Sequence, residues 1–118
     1  MRSEKTLQTL TDIKRNVGLV RMFVQGMDYE DFAADVKTVY AVTRCLEIVS
    51  EASRRLPSDL KARHPHIPWN DVAGAGNVYR HDYEDILEPD LWDTIHLPLD
   101  SLETVVLEEL ARLTGRSD

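Results

Sequence analysis

At 118 residues, 42% hydrophobic and 30% charged, the sequence reads as one globular domain spanning 1–118 and excludes a disordered or fibrous chain. Cys45 is the single cysteine, which excludes a disulfide framework and a thiolate metal cage and fits a reducing, cytoplasmic setting. The net charge of −7 opposes nucleic acid over the molecule as a whole, and no run approaches the roughly 18 apolar residues of a membrane span.

The opening stretch, MRSEKTLQTLTDIKR, mixes charges and lacks the apolar block of a secretory signal. Leu7, Leu10, Ile13, Val17, Val20 and Val24 then recur at helical intervals, marking one face of a helix that Gly26 ends. Asp28 is a candidate N-cap in the short link that follows. Val36, Val39, Val42, Leu46, Val49, Ser53 and Leu56 keep the same period in the longest helix, until Pro57 stops it. Ala52 and Ser53 are small enough to let a neighbouring helix approach. Residues 57–68, PSDLKARHPHIP, hold three prolines and read as a loop.

Trp69, Val72, Gly76, Tyr79 and Tyr83 line one side of a third helix, whose other side carries Asn77 and His81. Asp90 is a candidate cap for a short fourth helix through His96. Pro98 starts a fifth, in which Leu99, Leu102, Val106, Leu110 and Leu113 align before Gly115. No segment alternates with the period of a strand. The expectation is an all-α, up-and-down bundle of about five helices.

Charge is distributed unevenly along this bundle. Residues 54–81 hold Arg54, Arg55, Lys61, Arg63 and Arg80 against Asp59 and Asp71, whereas residues 82–118 hold two arginines against 11 acids. The middle section, which also contains His64, His66 and His81, is therefore the seat for any polyanion, and such binding must be local and salt-dependent. Within it, Asn77 and His81 stand four residues apart, about 40° around a helix, and Arg80 lies about 100° from His81. Histidine serves as acid or base near neutrality and arginine stabilises phosphate charge. Metal-independent RNA cleavage needs that pairing: a base for the 2′-hydroxyl and a cation for charge developing at phosphorus. An Arg-His pair closing a helix also has a plainer role, complementing the helix dipole.

The other chemistry-bearing residues have simpler accounts. His64 and His66 belong to the proline-rich stretch, which reads as solvated, and no HExxH or Cys/His spacing marks a metal site. Neither a metal nor a cofactor is expected. Gly74 and Gly76 follow no strand, so close helix packing explains them better than a phosphate loop does. Trp69 and Trp92 read as core anchors, and the acids of 82–93 as a solvated face.

Taken together, TDIKR, EIVSEASRRLP, HPHIPWNDVAG, GNVYRHDY and ILEPDLWDTIHLPLDSLETVV, in that order, resemble the HepT-like family of the HEPN superfamily over nearly the whole chain. The resemblance implies a HEPN-like bundle that dimerises, with the third helices of two subunits forming a shared cleft. It implies a toxin of a type VII-like toxin–antitoxin pair, a metal-independent endoribonuclease controlled by a minimal nucleotidyltransferase antitoxin. Its motif is an arginine, four to six residues, a histidine, any residue and a tyrosine. His81 and Tyr83 match the last two, and Asn77 matches the asparagine that usually follows the arginine. By the same resemblance His81 is the acid/base, Arg80 and Asn77 assist at phosphate, and Tyr83 is the acceptor of AMP from the antitoxin.

The motif arginine itself is missing. Its allowed positions hold Gly74, Ala75 and Gly76, and Arg80 projects from a different angle. Removing a guanidinium that meets developing phosphate charge costs on the order of a few kcal/mol of barrier. Two readings therefore stand side by side: an endoribonuclease toxin acting on RNA, and a catalytically impaired helical partner that only binds a nucleotidyltransferase.

Overall fold

The computed structural model describes residues 2–81 and 88–115, with side chains at 3–76 and 88–115. Among them the chain is all-α, without a strand: α1 Arg2–Val24, α2 Tyr29–Ala34, α3 Val36–Arg54, α4 Ser58–Ala62, α5 Trp69–His81, α6 Glu88–His96 and α7 Pro98–Thr114. The five expected helices are present, although α1, at 23 residues, and not α3, at 19, is the longest. Two short ones, α2 and α4, fall where the sequence reads as links.

The apolar period of α1 becomes a buried seam, with Leu10, Ile13, Val17 and Val20 fully enclosed and only Leu7 partly exposed at its start. That seam packs on α3, whose Val42, Leu46 and Val49 are buried, and on α7, whose Leu99, Leu102, Val105 and Val106 are buried. Each such side chain contributes roughly 1.5–3 kcal/mol by leaving water. Leu113, at the far end of the α7 stripe, stays partly exposed. Ala52 and Ser53 are both fully enclosed, as small residues at a close approach should be.

Local chemistry sets the boundaries. Asp28 caps α2 as expected, within a reciprocal box: Asp31 N–H donates to Asp28 Oδ1 at 2.8 Å, and Asp28 N–H donates to Asp31 Oδ2 at 3.2 Å. Asp35 then breaks the chain and caps α3 through Thr38, whose hydroxyl donates to Asp35 Oδ2 at 2.8 Å. The α2 turn forms because Phe32 is fully buried, its ring 5.3 Å from that of Trp92. Asp90 does not cap α6; the helix begins at Glu88, which leaves Asp90 in the first turn, where a carboxylate favours the helix dipole. Pro98 occupies the first turn of α7, and Gly115 closes it with φ 74°, a left-handed turn open to glycine.

The stretch 57–68 departs most from its reading as a solvated loop. Leu60 and Ile67 are buried, and so is His64, whose Nε2 lies 2.6 Å from Oε2 of Glu109 on α7. Glu109 is itself enclosed and receives the fork of Arg63, Nη2 at 2.7 Å and Nε at 3.2 Å. A buried carboxylate persists only with such partners, and here all its oxygens are engaged. Burial alone would raise its pKa. The hydrogen bonds from Arg63 and His64 outweigh burial and hold it below the ordinary carboxylate value.

Candidate functional site

The helix that carries the motif, α5, lies along α3 and is positioned from its start. Pro68 enforces an extended entry, and the indole N–H of Trp69 donates to the carbonyls of Lys61 and His64, both at 3.1 Å. Trp69 thus anchors the helix to the stretch whose ring contact with Glu109 reaches α7. Its expected core role is met in part, since it packs against the core from a half-buried position.

One turn further on, α3 grips α5 through three hydrogen bonds. The Ser50 hydroxyl donates to the Ala73 carbonyl at 3.0 Å and accepts from the Gly76 amide at 2.8 Å. Nε of Arg54 donates to the same Ala73 carbonyl at 2.9 Å. Ser50 is 2% exposed and Gly76 is buried beneath it. A Cβ at position 76 would stand 2.8 Å from Ser50 Oγ and 3.0 Å from Ser50 Cβ, whereas a Cβ at Gly74 would meet nothing within 4 Å. Close packing therefore explains Gly76 and not Gly74. Position 76, directly before Asn77, has no room for an arginine.

The backbone carries Asn77, Arg80 and His81 along α5, whose described residues run to His81. Their side chains lie outside the described atoms, and Tyr83 lies outside the described residues. Sequence reading missed Ser50 and Arg54, the two residues that hold this turn. Their four-residue spacing on a helix was the available signal, but only the packing of α3 on α5 gives it meaning.

Beside this contact α5 borders an apolar groove of about 270 Å³ between α3, α6 and α7, lined by Leu46, Val49, Val72, Ala75, Leu99 and Leu102. Trp92 closes the far side of α6 by stacking near Phe32 and His96. Among the described residues no group of three His, Cys, Asp or Glu side chains could hold a metal ion, and no helix is long and apolar enough to cross a membrane.

Comparison with known proteins bears on this arrangement directly. The profile of the ribonuclease HepT-like family matches residues 13–109, from the buried seam of α1 to the carboxylate of α7. The chain belongs to that family. It is 38% identical over 94 residues, 80% of this chain and 86% of the other, to a Thermococcus cleftensis protein named "Probable ribonuclease HepT". Two proteins named "Putative RNase" are similarly related. One is from Methanocaldococcus jannaschii, 35% identical over 72% of this chain and 73% of its own; the other is from Caldanaerobacter subterraneus, 34% identical over 75% and 80%. No solved structure matches the chain.

Proposed function

We propose that this protein is the toxin of a toxin–antitoxin pair, a metal-independent endoribonuclease with His81 as its acid/base. The observation that carries the reading is the family match across 13–109, which includes the α5 segment with Asn77, Arg80, His81 and Tyr83. In this reading His81 takes the proton of a ribose 2′-hydroxyl, the oxygen attacks the adjacent phosphorus to close a cyclic phosphate, and the P–O5′ bond breaks as the His81 imidazolium returns a proton to the leaving 5′-oxygen. Arg80 and Asn77 bind phosphate oxygens as charge grows on them. Two copies pair in the cytoplasm so that their α5 helices share the cleft. A nucleotidyltransferase antitoxin transfers AMP to Tyr83, placing an anion beside His81 that repels RNA.

The buried Gly76 favours a second reading, a helical partner that binds the nucleotidyltransferase without cleaving RNA. One assay separates the two. Antitoxin-free protein is incubated with tRNA and mRNA in the presence of a chelator, alongside His81→Ala. Cleavage by the parent that disappears in the variant supports the enzyme, and equal background in both supports the binder.

A further inference from the structure

We infer that Arg54, on α3, is an RNA phosphate-contacting residue, its guanidinium delivered across the helix pair to the turn of α5 that carries the motif. This inference rests on the ribonuclease reading and deepens it.

The placement is specific. The Ala73 carbonyl is the acceptor that α-helix geometry assigns to the amide of residue 77. Nε of Arg54, 2.9 Å from that carbonyl, therefore stands beside the peptide turn bearing Asn77, four residues before His81. A helix rises about 1.5 Å per residue, so position 77 is roughly 6 Å along the axis from His81. That distance is close to the step between successive phosphates on a single strand.

The hydrogen bond uses one of the five guanidinium N–H groups and fixes the plane of the fork. The side chain is exposed, and among the described residues Arg54 makes no ion pair. Two cations of the adjoining stretch are engaged elsewhere. Arg63 is committed to Glu109, and Lys61 sits over the ring of Trp69 at 6.0 Å. The guanidinium thus combines orientation with an unspent charge, in the one section of an acidic chain where positive residues outnumber negative ones. Ser50 fills the space that a side chain at position 76 would need, so a cation reaches this turn from α3 instead.

The test uses the full chain and a single-stranded oligoribonucleotide made uncleavable by 2′-O-methylation, with affinity read by anisotropy across a salt series. Loss of one phosphate contact lowers the slope of log affinity against log salt by about 0.7 for a single strand. Arg54→Gln should show that decrease and cleave substrate RNA at least tenfold more slowly, while Arg54→Lys, which keeps the charge, should recover most of the slope. Unfolding midpoints of both variants establish that each is folded.

Equal slopes for the parent and Arg54→Gln would overturn the inference. So would an Arg54→Lys variant as defective as Arg54→Gln, because the side chain would then matter only for its bond to α5. His81-dependent cleavage by the parent, together with an unaffected Arg54→Gln, removes this inference and leaves the ribonuclease reading standing. A parent that neither binds nor cleaves RNA removes both.

Discussion

Gly76→Ala tests how tightly α5 is seated. The added methyl would lie 2.8 Å from Ser50 Oγ, closer than Cβ atoms come in folded proteins, and 3.0 Å from Ser50 Cβ, tighter than nearly all such contacts. Ser50 cannot swing aside cheaply, because its hydroxyl bridges the Gly76 amide and the Ala73 carbonyl. Overpacking of this kind costs roughly 1–3 kcal/mol, and each weakened hydrogen bond adds about 1 kcal/mol. Alanine's better helix propensity returns about 1 kcal/mol. The net expectation is a loss of about 2–4 kcal/mol, read as a urea midpoint lowered by about 1–2 M at fixed protein concentration. Gly74→Ala is the control. Its methyl meets nothing, so the propensity gain should appear unopposed as a stabilisation of up to about 1 kcal/mol. Combining Gly76→Ala with Ser50→Gly should recover more than 1 kcal/mol relative to the sum of the single changes. A Gly76→Ala protein as stable as its parent would refute this account of the helix contact.

Other outcomes follow from the same coordinates. Gly74→Arg places a guanidinium at an allowed motif spacing and at an unobstructed site; if the ribonuclease reading holds, RNA cleavage should rise at least tenfold over the parent, as measured by gel. Glu109→Gln leaves Arg63 and buried His64 without their anion and should cost about 2–4 kcal/mol at neutral pH. Because the carboxylate is held below its usual value when folded, its stabilisation is complete above the unfolded value, near 4.5, and is lost as pH falls through the folded one; the gap between parent and variant should close in acid. Asp28→Ala removes the α2 capping box and should lower stability by about 1 kcal/mol in thermal or urea unfolding. Co-expression with a cognate nucleotidyltransferase should add one AMP to the peptide containing Tyr83, seen by mass spectrometry, and Tyr83→Phe should remain unmodified.

Much of the bundle is legible in the sequence, because helical periodicity directly encodes which face is buried. The seams of α1, α3 and α7 emerge where Leu10, Val42 and Val106 predict them. What escapes is set by contacts distant in sequence. His64 and Arg63 look like loop residues until Glu109, more than forty positions later, supplies the carboxylate that draws them inward. Periodicity carries no record of such a pairing. Asp90 was misplaced by the ordinary ambiguity between a cap and a first-turn acid. At the candidate site the placement of Asn77, Arg80 and His81 along one helix was readable from the periodicity. The seating of their helix was not, since Ser50 and Arg54 acquire a role only once α3 lies against Ala73 and Gly76.

His64 faces two ways. Its ring meets Glu109 on α7, while its carbonyl receives the indole of Trp69, the first residue of α5. Damage near the C-terminal end of α7 would therefore be felt about forty positions earlier in the chain, in the angle at which the motif helix sets off. A truncation that removed Glu109, or an affinity tag that strained the last turn of α7, would loosen the mooring of α5 without touching any residue of the motif itself.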